Sequence, residues 1–176
     1  MVTATLRPVA NGEYQQCYQQ EPSSGEHWDK VCDQTTATYV RSYRTGGTTL
    51  YETYKFNFPP GVYSQIKLTL IAKDLYGTYG HYSNIGGYVY KSGVGDHAES
   101  LEALYDTKWT YYTYTYNQNP ITDTAWGMLS GDAVEFGFKG WQCCNNESIL
   151  LAEVFLEVTY TPIAAGSGQI IGLSAW

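Results

Sequence analysis

The sequence predicts an all-β protein, an antiparallel sandwich of jelly-roll kind with about nine or ten strands and at most one short helix. Three observations predict it. Residues 148–162 place Leu150, Ala152, Val154, Leu156, Val158 and Tyr160 on even positions, with Glu153, Glu157, Thr159 and Thr161 between them. That period of two belongs to a strand with one face in a core, and such a strand needs a sheet beside it and a second layer above it. Aromatic residues make up 16% of the chain, which has 18 tyrosines, against 15% charged residues, a balance that favours β structure over helical packing. Short apolar segments recur at intervals of roughly 8 to 15 residues between Gly and Pro turns, with no long amphipathic helix among them.

In chain order, residues 2–9 form a first strand, Asn11-Gly12 a hairpin turn, and residues 13–19 a second strand. Residues 21–26 are a loop by composition, and residues 28–32 a short strand or an extended connection. Residues 38–43 are a strand that Gly46-Gly47 breaks. Residues 50–58 alternate, with Tyr54, Phe56 and Phe58 inward, until Pro59-Pro60-Gly61 stops them. Ile66, Leu68, Leu70 and Ala72 form the inward row of the next strand, and residues 87–91 another. Residues 98–105 are open between a helical turn and a short strand. Residues 109–116 place Tyr112, Tyr114 and Tyr116 on one face, residues 126–130 are the candidate helix, and Val134, Phe136 and Phe138 lead to the last strand. Pro162 ends that strand because proline has no N–H to give to a ladder. The sandwich therefore spans residues 1–162, and residues 163–176 follow as an apolar tail.

Composition excludes several function classes. A formal charge of −7 with ten Lys and Arg offers no basic face for phosphates, so nucleic acid is not an expected partner. No apolar run approaches the roughly 20 residues that cross a bilayer. The opening residues show no basic segment followed by an apolar stretch, so either a signal was removed and replaced by Met1 or the protein reaches its working place without secretion. Cys17, Cys32, Cys143 and Cys144 allow three full pairings, among them a Cys17–Cys32 bond between two early strands, and their spacing does not match zinc knuckles. At least one disulfide is expected, which implies an oxidising setting or a very stable particle.

The order Trp109-Thr110-x-Tyr112-Thr113-Tyr114-Thr115, Asn119-Pro120, Ala125-Trp126, 132–138 and 153–162 resembles a Tyr/Thr-rich β-sandwich module of uncharacterised structural proteins from tailed phages and archaeal viruses, and of some microbial surface proteins. Leu6-Arg7-Pro8 and Thr38-Tyr39-Val40 are similar too, so the likeness covers most of residues 5–162. It implies a non-catalytic sandwich on a particle or cell surface and brings no catalytic residues. The four cysteines and the tail depart from the pattern.

The residues themselves point away from catalysis. Glu153 and Glu157 share a face but stand about 13 Å apart at strand rise, beyond the roughly 5 to 10 Å of a glycosidase pair. Together with Asp132 and Glu135 they read as a solvated face. His27, His81 and His97 are scattered without metal-site spacing, and no Gly-x-Ser-x-Gly elbow occurs. No cofactor is implied; Asp96 and Glu99 with neighbouring carbonyls are the one candidate for structural calcium. Asn146-Glu147-Ser148 is a glycosylation sequon.

Binding is the remaining chemistry. With Tyr112, Tyr114 and Tyr116 on one face, Tyr111 falls on the other, and Tyr51, Tyr88, Tyr90 and Trp141 exceed what a core can hold. Tyr111, Tyr88, Tyr90 and Trp141 are therefore candidates for a protein interface or a glycan platform, with cross-strand ladders as the plainer reading. In the tail, Ile170, Ile171, Leu173 and Trp176 follow a Gly166-Ser167-Gly168 hinge. Their apolar area is costly to leave in water, so the tail docks on its own sheet or on a neighbour.

The expectation is a non-catalytic structural and adhesive building block of an extracellular assembly, most readily a virion surface protein such as a capsid decoration, spike or tail component. Its partners are copies of itself or other particle proteins, and its place is a virion or an extracellular surface. A glycan-binding attachment module is the alternative, followed by a subunit of an archaeal or bacterial surface filament.

Overall fold

The computed structural model describes residues 1–17, 19–42, 47–75, 83–104, 107–131, 134–142 and 148–163. Two antiparallel sheets face each other as a jelly-roll-like sandwich. The first has seven strands in the order β10 (Thr110–Tyr116), β6 (Phe58–Asp74), β13 (Ile149–Pro162), β4 (Tyr39–Arg41), β3 (Gln19–Glu21), with β1 (Val2–Leu6) also on β13 and β11 (Gly127–Gly131) also on β6. The second has six, in the order β2 (Pro8–Gln15), β5 (Thr48–Phe56), β12 (Glu135–Gln142), β7 (Ser83–Lys91), β8 (Gly95–Ala98), with β9 (Glu102–Leu104) also on β7. A four-residue helix α1 (His27–Lys30) is the helix among the described residues.

Alternation assigns the core. Leu68, Leu70, Val154, Leu156 and Val158 of the first sheet face Leu50, Tyr54, Phe56, Val89, Phe136 and Phe138 of the second, all fully shielded from water. Tyr112, Tyr114 and Tyr116 turn inward from β10 as the alternation predicts. Gly87 on β7 lies beneath them, because a Cβ there would stand 2.7 Å from the Tyr114 ring. Pro162 ends β13.

The structure corrects several expectations. There are thirteen strands among the described residues, because short pairings such as β3, β8 and β9 join the long ones. Asn11-Gly12 is not a hairpin turn: both residues lie within β2, and β1 and β2 belong to opposite sheets. Pro59-Pro60-Gly61 does not stop the chain. β6 begins at Phe58, and the prolines take part through carbonyls, as where Pro60 O accepts from Ile163 N at 3.2 Å. The helix expected at 126–130 is strand β11, and the helix is formed instead where Asp29 Oδ2 accepts from the Glu26 N–H at 3.2 Å. The bond considered between Cys17 and Cys32 is not formed; Cys143 and Cys144 lie outside the described residues.

Two of the carboxylates, Glu153 and Glu135, are not on a solvated face either. Glu153 is buried and paired with Arg7 Nη1 at 3.0 Å. Glu135 is buried and accepts from Thr53 Oγ1 at 2.8 Å and from the Glu13 N–H at 2.7 Å. Glu157 pairs with Lys67, and Asp132 lies outside the described residues.

Gly137 fixes the spacing of two central strands. A Cβ there would stand 1.8 Å from the Glu52 carbonyl oxygen, a distance no side chain tolerates. Gly137→Ala is expected to push β12 from β5 and lower stability by about 1–3 kcal/mol, read as a lower urea midpoint at unchanged m-value.

Candidate functional site

β5 carries its inward row as Leu50, Glu52, Tyr54 and Phe56, all buried. One member of that apolar row is a carboxylate, and a buried charge persists only with partners. Glu52 has them: Oε2 accepts from the Cys17 N–H at 2.8 Å, and Oε1 lies 2.7 Å from His27 Nδ1. The elements that bring His27 there are short. Trp28 N donates to Asn11 Oδ1 at 2.9 Å, tying α1 to β2, and Val154 N donates to Val31 O at 3.0 Å, tying the segment after α1 to β13. That last bond falls beside a register shift between Leu151 and Glu153, where β13 changes its partner from β4 to β1.

Above the pair opens a cleft of about 730 Å³ lined by Asn11, Gln15, Cys17, Gln20, Glu21 and Ser23, then by Gly25, Glu26, His27, Tyr39 and Arg41. It lies between the terminal strands of the two sheet paths, β3 with β4 on one side and β2 on the other. Gly25 shapes its rim with a φ of +92°, and a Cβ there would stand 2.3 Å from Asp29 Oδ2, so the rim turn favours glycine.

Two amides are held by their nitrogen ends. Gln15 Nε2 donates to Tyr14 O and to Thr53 O, each at 2.9 Å, and Gln20 Nε2 donates to Gly25 O at 2.6 Å. Their oxygens are buried and have no donor among the described residues. Arg41 Nε donates to Ser148 Oγ at 3.1 Å, which orients the guanidinium. Tyr39 stands 6.3 Å from the Trp109 ring, itself capped by Lys73 Nζ at 4.5 Å, so the cleft has an aromatic border.

The hydrogen bond to Glu52 raises the pKa of His27 above its ordinary value; burial opposes this, and the charges of Glu52, Glu26 and Asp29 add to the rise. The sign follows. A raised folded-state pKa gives a stabilisation that is complete below about 6.5, the unfolded value, and is lost as pH climbs through the folded value. The melting temperature of the wild type minus that of His27→Gln is therefore expected to shrink as pH rises from mildly acidic to alkaline. A difference independent of pH contradicts the ion pair.

The sequence-predicted residues lie elsewhere. Tyr88 and Tyr90 share the outward row of β7 and pack with Tyr14 and Tyr51 at centroid separations of 4.8 to 5.8 Å. Within that cluster Tyr88 is 2% exposed, and burial, then Asp96 and Tyr14, push its phenol pKa upward. Trp141 is half-buried on the same outer face, opposite Thr49 and Asn84. Tyr111 is 68% exposed, but on the outer face of the other sheet. Ile170, Ile171, Leu173 and Trp176 lie outside the described residues.

Although scattered in sequence, two of the three histidines meet carboxylates: His27 pairs with Glu52, and His97 Nε2 lies 3.2 Å from Glu99 Oε1; His81 lies outside the described residues. The latter contact occupies one of the two carboxylates considered for calcium. Among the described residues no three His, Cys, Asp or Glu side chains gather as a metal site.

The fold defines the chain as a jelly-roll-like antiparallel sandwich. No family model and no curated protein sequence matches it. Among solved structures it is similar to a family 29 carbohydrate binding module, at 9% identity and a TM-score of 0.47, over 89% of this chain and 90% of that chain. It is also similar to the CBM22-1 xylan-binding domain of Paenibacillus barcinonensis Xyn10C, at 8% identity and a TM-score of 0.44, over 73% and 76%. A third similarity is to the carbohydrate binding module CBM6cm-2 of Cellvibrio mixtus lichenase 5A, at 14% identity and a TM-score of 0.38, over 92% and 99%.

Proposed function

We propose that the chain is a non-catalytic carbohydrate-binding module whose ligand lies in the cleft between β2 and the β3–β4 pair. The observation that carries this reading is the cleft's polar lining, to which Gln15 and Gln20 belong, each amide anchored by its nitrogen and each with an oxygen that lacks a donor among the described residues. A buried acceptor without a donor costs about 1–3 kcal/mol, so a sugar hydroxyl that shifts the cleft wall enough to reach either oxygen gains a hydrogen bond the free protein lacks. Asn11, Arg41 and His27 add donors of the kind that read ring hydroxyls, and Tyr39 adds a face for the apolar side of a pyranose. Glu21 and Glu26 offset Arg41 and His27, so a neutral glycan suits the cleft better than an anionic one. The virion building block expected from the sequence rests on the resemblance and the tail, whereas the cleft supports a glycan.

The test is calorimetric titration with neutral hexasaccharides of β-1,4-linked glucose, xylose and mannose, with hexagalacturonate as the anionic comparison. Binding of at least one neutral member is expected, weakened about tenfold by Gln20→Leu or Arg41→Ala, a loss of about 1.4 kcal/mol. Equal affinity in wild type and both variants places the ligand outside the cleft. Release of reducing ends from any of the four would end the non-catalytic reading.

A further inference from the structure

Among the described residues, the strands at the sheet edges are short or irregular, with one exception. β1, β3, β8, β9 and β11 have three to five residues, and β2 is interrupted by register shifts, which are the usual safeguards of a sheet edge. β10 has neither. Its seven residues run opposite Ile66 to Ala72 of β6 without a shift, and no described strand pairs with its other side. All seven are Thr or Tyr, so neither a charge nor a proline guards this edge. Its outer row holds Tyr111, 68% exposed, with Thr113 and Thr115, also exposed, and its last carbonyl, Tyr116 O, accepts from Trp126 Nε1 at 3.0 Å.

We propose that β10 pairs with β10 of a second copy, antiparallel about a two-fold axis at Thr113, to form a dimer. An open edge is completed by an extended segment, and the sequence of β10 suits itself. The two-fold sets Thr113 opposite Thr113, Tyr111 opposite Thr115, Tyr112 opposite Tyr114 and Thr110 opposite Tyr116. On the outer row a large side chain therefore meets a small one, and on the inner row Tyr112 meets Tyr114, pairs of the stabilising kind. No like charges meet along the seven residues. Thr113 Oγ1 lies 3.4 Å from Thr69 Oγ1 on β6, so the threonine contact within one copy continues across the axis into the other. Seven paired residues make a small interface, of the weak class below about 1,200 Å², so the dimer forms and dissociates with concentration. β10 ends the seven-stranded order on one side, and the cleft strands β4 and β3 end it on the other. The inference therefore does not depend on the carbohydrate reading.

The experiment oxidises full-chain Thr113→Cys and Thr115→Cys variants mildly and maps the linked peptides by mass spectrometry. Across the axis, position 113 stands opposite itself at a Cα separation of about 4.5–5.5 Å, within reach of a disulfide. The two copies of position 115 are about 13 Å apart along the strand, beyond that reach. Thr113→Cys is expected to give a dimer joined through position 113, and Thr115→Cys none joined through position 115. Bonds through 115 as readily as through 113, or no dimer from Thr113→Cys, overturn the proposal. Sedimentation at rising concentration is the second readout. The mass of the wild type is expected to climb toward that of a dimer, while Thr113→Lys, which sets two ammonium groups face to face at an exposed position, is expected to stay a monomer. A wild type that remains monomeric at millimolar concentration, or a Thr113→Lys variant that associates as the wild type does, overturns it too.

Discussion

Glu52→Ala is expected to lower stability by about 3–5 kcal/mol, the usual cost of removing one partner from a buried ion pair. For a chain of this size each kcal/mol shifts the melting temperature by roughly 2–4 °C, so a fall of roughly 6–20 °C should be seen by calorimetry. Three losses combine. His27 loses the partner of its Nδ1 and with it the main cause of its raised pKa, the Cys17 N–H loses its acceptor, and a cavity opens on the inward row of β5. Glu52→Gln separates them, because its amide oxygen still accepts from Cys17 and its volume is kept. It should recover a large share of the loss while abolishing the pH dependence assigned to His27. A melting temperature within 2 °C of wild type for the alanine variant, roughly 1 kcal/mol or less, would mean that the pair does not hold the cleft together.

Phe136→Ala is expected to cost a comparable 3–5 kcal/mol, for a different reason. Its ring is the hub of the aromatic core, with Phe56, Phe58, Tyr116 and Trp126 all at centroid separations of 6.1 to 6.2 Å. These four neighbours come from β5, β6, β10 and the entry to β11, so the void is walled by both sheets and cannot close by moving one strand. Trp126 is further fixed by its Nε1 donating to Tyr116 O at 3.0 Å. Phe136→Leu should recover most of the loss, since it refills much of the volume.

The pattern of alternation carried the sandwich. The inward rows of β6 and β10, and of β13 from Val154 onward, were legible residue by residue, because a strand with one face in a core leaves a period of two; before the register shift between Leu151 and Glu153 the inward residues are Ile149 and Leu151, not the expected Leu150 and Ala152. Where the sequence misled, the cause was local chemistry overridden by tertiary pairing. Asn11-Gly12 is the strongest short hairpin signal, yet Gly12 serves packing: a Cβ there would stand 2.3 Å from Thr53 Oγ1 and 2.4 Å from Glu135 Oε2. The candidate site was largely illegible. Its amides come from β2 and β3, its tyrosine and arginine from β4, and its histidine from α1, segments whose meeting depends on which sheet each joins. One signal was present and passed over: Glu52 shares the parity of Leu50, Tyr54 and Phe56, and a carboxylate on a core row requires a buried partner. The exposed-aromatic argument selected Tyr88 because a count of tyrosines does not reveal that four of them pack against one another.

The central claim is that a sugar binds in the cleft that the two anchored amides line. It is tested most directly by titrating the neutral hexasaccharides into wild type and into the Gln15→Leu, Gln20→Leu double variant in a calorimeter. Measurable heat with wild type, and a loss of roughly a hundredfold in affinity in the double variant if the two amides act independently, is the predicted result. Heat of equal size and affinity in both, or none in wild type with any member at millimolar concentration, contradicts the account.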